Sequence, residues 1–188
     1  MSAKPKPKYL TPEEYLAIER KAEDKSEYVD GVLYSMAGGS PKHSLVGANV
    51  SGELYSQLKN SPRRVFNSYQ KVRVPSKRKY LYPDVTVVCS EPQYDDSDVL
   101  LNPLLIVEVL SDSTAGYDRN RKFLFYQEIE SFSEYLLISQ DEPVVEHYVK
   151  QPDDSWIYTT TKGLDQSVTL KTVDCRLALR DIYAKVID

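Results

Sequence analysis

Apolar positions recur with two periods along this 188-residue chain. Val46, Val50, Leu54 and Leu58 fall four apart, which is the stripe of one helix face. Ser40-Pro41 opens that helix and Asn60-Ser61-Pro62 closes it. Thr11-Pro12-Glu13-Glu14 supplies a cap, a first-turn proline and a capping-box glutamate, predicting an earlier helix to about residue 22. Between the two lies 27–34, where Asp30-Gly31 between apolar residues signals a hairpin. A period of two follows. Segments 65–69 and 71–74 read as strands, with Val72 and Val74 alternating with Lys71, Arg73 and Pro75. Val85-Thr86-Val87-Val88 and Leu104-Leu105-Ile106-Val107 are denser runs and predict buried strands, joined by a polar loop over 90–102. A helix over about 117–129, a buried strand over 135–139, outer strands over 144–149 and 156–161, and a closing helix over 178–186 complete the series.

That order predicts an α/β (α+β) fold, a mixed sheet with helices packed on it, preceded by an N-terminal helix and hairpin. No repeat or long linker interrupts 11–188, which reads as a single domain, and 1–10 reads as a disordered basic tail without a signal peptide's apolar segment. A 41% hydrophobic and 28% charged composition fits a soluble globular protein, and no run is long and apolar enough for a membrane span. Cys89 and Cys175 have no CxxC spacing, which argues against a zinc site or a disulfide framework and points to the reducing cytoplasm.

A net charge of −4 is not that of a general nucleic-acid coat. Yet no acid falls between Glu53 and Asp84, while Lys59, Arg63, Arg64, Lys71, Arg73, Lys77, Arg78 and Lys79 do. Such a block is either a solvated hairpin or a phosphate-binding face.

The block leads to Asp84, behind Pro83 at the start of one apolar strand, and Glu108 sits in the next. An ionised acid in such surroundings is costly to bury without a partner. Side chains alternate along a strand, so Asp84 shares a face with Thr86 and Glu108 with Ile106. On neighbouring strands both carboxylates converge, and one or two carboxylates plus water and phosphate is how Mg²⁺ is commonly held. Such an ion polarises phosphate and activates water, and Lys122 on the next helix can stabilise the transition state or orient the water. The plainer alternatives are a turn carboxylate at Asp84, a structural ion pair at Glu108, and an Asp118–Lys122 pair worth only about 0.2–0.5 kcal/mol.

Pro83-Asp84, Glu108 before Val109-Leu110-Ser111, then Thr114, Asp118, Lys122, Tyr126 and Glu134-Tyr135 together resemble the Uma-two family, restriction-endonuclease-like proteins of the PD-(D/E)XK nuclease superfamily. Glu27-Tyr28-Val29-Asp30-Gly31 resembles that family's early hairpin, and His43 the histidine that opens its second helix. The resemblance spans about 11–182. It implies a restriction-endonuclease-like fold with a central mixed sheet of four or five strands. It also implies Mg²⁺ or Mn²⁺ held by Asp84 and Glu108, with Glu27 a further acid. One departure stands out: the superfamily's lysine two positions after the acid is Leu110 here, and Lys122 matches the family's relocated lysine.

His43, Gln70, Lys71 and Arg73 are candidates for substrate contact; a first-turn polar residue and solvent-facing strand residues are the plain readings. His147 reads as structural, and Ser111, Ser113 and Thr114 as caps of the following helix rather than nucleophiles. The reading is a Mg²⁺-dependent endonuclease acting on DNA, expected as a homodimer. The alternatives are a catalytically weak nuclease-fold protein that binds nucleic acid or a protein partner, and a two-carboxylate glycosidase.

Overall fold

The computed structural model describes residues 9–36, 38–76, 78–89, 91–95, 98–112 and 114–187. Most of the expected basic tail, Lys77 of the basic block and Ser113 lie outside them. Thr11 caps α1 (Pro12–Glu19) with the full capping box, and the hairpin of β1 (Ser26–Val29) and β2 (Val32–Ser35) turns at Asp30 and Gly31, both at positive φ. The α2 helix (Pro41–Leu58) is capped by Ser40 and buries the four-residue stripe foreseen from the sequence.

A run of strands follows. They are β3 (Arg64–Asn67), β4 (Lys71–Arg73), β5 (Lys79–Leu81), β6 (Val85–Val88), β7 (Tyr94–Asp95), β8 (Val99–Leu100), β9 (Leu105–Leu110), β10 (Glu134–Ser139) and β11 (Val144–Lys150), with β12 (Trp156–Lys162) at the edge. The main sheet runs β12-β11-β10-β9-β6-β3, with β9 and β10 parallel and the other neighbours antiparallel. One face packs its valines and leucines on α2, the other on Tyr126, Phe132 and Tyr135. The sheet thus has six strands where four or five were expected, because β11 and β12 extend it antiparallel beyond β10.

A second sheet, β2-β1-β5-β4-β8-β7, carries the N-terminal hairpin. The expected polar loop over 90–102 contributes its two shortest strands, because β8 pairs parallel with β4. The helix after β9 starts as α3 (Ala115–Tyr117), widens into a π turn (Asp118–Lys122) and ends as α4 (Phe123–Tyr126). The closing helix is shorter than expected: α5 covers only Leu179–Ile182, and a hairpin of β13 (Ser167–Leu170) and β14 (Cys175–Ala178) stands before it. Among the described residues no helix is long and apolar enough to cross a membrane.

Candidate active site

The strand register brings the two acids together. Val85 lies opposite Val107 and Thr86 opposite Ile106, so the next position sets Asp84 opposite Glu108, and directly opposed residues share a face. Ladder pairing stops there. Pro83 has no N–H to continue it, and the Asp84 carboxylate takes over, accepting from the Val109 N–H at 2.7 Å. The strands part beyond that point beside a cleft of about 1110 Å³, lined by Glu27, His43, Asp84, Glu108, Asp118 and Lys122 among others.

Lys122 is at the centre. Its Nζ lies 3.0 Å from Glu27 Oε1, 3.1 Å from Glu108 Oε1 and 3.5 Å from Asp118 Oδ1. The π turn explains how a helix delivers it. Side chains four apart drift by about 40° in an α-helix, and the wider π turn drifts the opposite way. Asp118, Lys122 and Tyr126 consequently keep one face, and all three are buried. Tyr126 donates its hydroxyl to Glu108 Oε1 at 2.8 Å, and the Tyr135 hydroxyl donates to the Asp118 carbonyl in the widened turn at 3.1 Å. Glu27 reaches the centre from the second sheet, and its Oε1 also accepts from the Tyr82 N–H at 3.1 Å. His43 Nε2, at the start of α2, lies 3.4 Å from Asp84 Oδ2.

Three carboxylates therefore face one ammonium, with a fourth beside them. Burial pushes Glu108 well above the ordinary carboxylate range; Lys122 pulls it back, and Asp118, Asp84 and Glu27 push it further up. Asp118 is raised for the same first reason. Burial alone would lower Lys122, but the attraction of Glu108, then Glu27 and Asp118, holds the ammonium well above lysine's usual value. The hydrogen bond that the imidazole donates to Asp84 raises His43 against the opposing effect of burial.

Among the described residues no three His, Cys, Asp or Glu side chains form a ready-made metal cluster. The donor chemistry still suits a hard cation. The acids offer carboxylate oxygen to an ion, outnumber the single ammonium of Lys122 and open onto the cleft, which leaves water and phosphate to complete a shell.

Gln70, Lys71 and Arg73 do not join the cleft. Lys71 is buried, with Nζ 3.5 Å from Asp98, Arg73 pairs with Asp95, and the Gln70 amide donates to the carbonyls of Lys71 and Asp98. The sequence reading missed Lys25, Tyr34 and Arg121, all of which line it. Strand alternation carried the signal for Lys25, since Lys25, Glu27 and Val29 are two apart and all face the cleft. Burial lowers Lys25, whose Nζ donates to the Ser68 carbonyl at 2.8 Å. His147 is structural in its setting, as expected: it is buried with Nε2 2.7 Å from Glu134.

A family model, Uma2, described as "Putative restriction endonuclease", matches residues 12–180. Two uncharacterized proteins of Synechocystis sp. are similar along most of their length. One, sll1609, is 40% identical over 158 residues, 83% of this chain and 89% of its own; the other, slr1290, is 35% identical over 174 residues, 93% and 91%. Among solved structures, a crystal structure titled as a putative nuclease belonging to DUF820 from Anabaena variabilis superposes with a TM-score of 0.77. It covers 95% of this chain and 99% of its own at 18% identity, a likeness of fold.

Proposed function

Because the chain belongs to the Uma2 family of restriction-endonuclease-like proteins, we propose that it is a metal-dependent endonuclease hydrolysing phosphodiester bonds in DNA. The observation that carries this is Lys122 Nζ held at 3.0 Å and 3.1 Å by Glu27 and Glu108, with Asp84 opposite Glu108 in the strand register. An amine among acids at a cleft is of little use to a fold that could have buried apolar residues there, but it is what phosphoryl chemistry needs.

Asp84 and Glu108 would hold Mg²⁺ or Mn²⁺, with Glu27 as the adjoining acid. When bound, the ion supplies Lewis acidity and a more acidic water. Lys122, charged and buried, offers its ammonium protons to the negative charge that develops on the phosphate or orients the attacking water. Tyr126 and the Tyr82 N–H fix Glu108 and Glu27, so the carboxylates need not reorganise during reaction. His43 steadies Asp84 and lies where a substrate phosphate would approach. The relocation of the lysine from position 110 to 122 is then a change of supporting element, with the ammonium in the same neighbourhood as the acids. A homodimer belongs to the same proposal.

A second reading draws on the absence of a ready-made three-ligand cluster among the described residues and on Lys122 bridging the acids. On it the protein binds nucleic acid without cutting. Supercoiled and linear DNA incubated with Mg²⁺, Mn²⁺ or EDTA decide between the two, alongside Glu108→Ala and light scattering for the dimer. Metal-dependent nicking that Glu108→Ala abolishes is the expected result. Cleavage that survives both EDTA and Glu108→Ala would sink the proposal, and binding without cleavage by the native protein would favour the second reading.

A further inference from the structure

The cations that a duplex would need are largely engaged elsewhere. Five of the basic block's seven described residues are in ion pairs: Arg64 with Glu91, Lys71 with Asp98, Arg73 with Asp95, Arg78 with Asp30 and Lys79 with Glu128. A protein that tracks B-DNA commonly neutralises about 6–10 phosphates. The cleft itself offers Lys25 and Arg121 besides Lys122, and neither Lys25 nor Arg121 makes an ion pair among the described residues.

What the cleft does offer is aromatic surface beside the acids. Tyr34 lies directly opposite Glu27 in the β1–β2 pairing, so its side chain leaves the same face about 5 Å away. It lines the cleft and is 50% exposed, an unusual setting for a ring next to a buried charge cluster. Tyr69 stands at the rim, next to the cleft-lining Ser68. It is 78% exposed, with Lys25 Nζ 4.4 Å from its ring centroid. A base lies a few ångströms from its own phosphate. A phosphate at Glu108 would thus place an unstacked base within reach of Tyr34, and a neighbouring nucleotide near Tyr69 and Lys25. A paired, stacked base has no π-face to give.

We propose that the cleft takes unpaired polynucleotide, a single strand or an unpaired segment of a duplex, with Tyr34 and Tyr69 stacking bases while Lys25 and Arg121 meet flanking phosphates. The inference names a substrate class for the nuclease reading and rests on it. Aromatic stacking platforms beside cations that follow the backbone are the usual solution for single strands.

The test titrates labelled short DNA and RNA strands, the matching DNA duplex, and the same duplex with an unpaired loop. Anisotropy is read in Ca²⁺, a hard cation with the same preference for oxygen, and cleavage is then followed in Mg²⁺ and Mn²⁺. The unpaired probes, of either sugar, are expected to bind at least about tenfold tighter than the duplex, and Tyr34→Ala to weaken them by about 5–100-fold. Tyr34→Phe keeps the ring and should bind like the native protein, while circular dichroism checks the fold of each variant. Duplex bound as tightly as the unpaired probes, or unpaired binding indifferent to Tyr34→Ala, overturns the proposal. Duplex cleavage under those conditions leaves the nuclease reading standing. Unpaired binding that depends on Tyr34, without cleavage in either metal, supports the stacking site and sinks the nuclease reading instead. Binding of no probe overturns both.

Discussion

Two buried carboxylates on adjacent parallel strands have opposite surroundings. Glu134, at the start of β10, is fully buried and closed off: Oε1 meets His147 at 2.7 Å, and Oε2 accepts from the Thr172 N–H at 3.2 Å and from its hydroxyl. Each oxygen has local partners, and none of these residues lines the large cleft. Glu108, on β9, has a lysine and a tyrosine on one oxygen, two more acids around that lysine, and an opening to solvent. Burial of an acid is therefore no mark of a site by itself. Surplus like charge next to an accessible cavity is the informative combination, because a fold alone has no reason to maintain it.

Substitutions can break this contrast. Glu108→Gln keeps the shape and removes the charge; cleavage rate is expected to fall by about 10²–10³-fold with the fold intact, read by plasmid nicking and circular dichroism. A comparable loss from Glu134→Gln would erase the distinction. Lys122→Met leaves three carboxylates facing one another and should lower stability by about 3–5 kcal/mol in urea unfolding, the usual result of removing one partner from a buried ionic cluster. Adding Glu108→Gln to it should restore part of that loss, and strict additivity would mean the two groups do not interact. Glu134→Ala leaves His147 and the Thr172 N–H unpaired and should cost about 2–3 kcal/mol, with cleavage per folded molecule unchanged. Asp98 supplies the smallest effect. The hydrogen bond from Arg20 depresses its carboxyl against the effect of burial, helped by Lys71. Its contribution is thus present above the unfolded carboxylate pKa of about 3.9 and is lost as pH falls through the lower folded value. Because Asp98 and Arg20 are each 40% exposed, Asp98→Asn should cost less than about 1 kcal/mol near neutral pH and nothing in strong acid, as thermal melts across that range will show.

Much of the frame could be read from period and punctuation. The α2 stripe, the Thr11 capping box and the Asp30-Gly31 turn are local devices, and they formed where local chemistry put them. The pairing of Asp84 with Glu108 was legible conditionally: alternation fixed the faces, and only adjacency of the strands was missing. The β13–β14 hairpin was not recognised, although Val168, Leu170, Cys175 and Leu177 alternate. Its turn uses Asp174 at positive φ and lacks the Asn-Gly or Asp-Gly dipeptide that announces such a bend. The fate of Lys71 and Arg73 was invisible for another reason. Their partners Asp98 and Asp95 lie more than twenty residues on and meet them only once β7 and β8 have docked beside β4.

The reach of Lys122 depended on helix phase, which periodicity does not resolve over so short a stretch. The π turn is where this helix carries one residue more than an α-helical turn would. Deleting a single position between Asp118 and Lys122 would let ordinary i, i+4 bonding return there, and three α-helical steps still bring Asp118 to within about 60° of the Lys122 face. The same deletion in an ordinary α-helical turn would rotate everything upstream by about 100°. The widened turn is thus a slack link, where a residue can be lost while the site keeps its orientation.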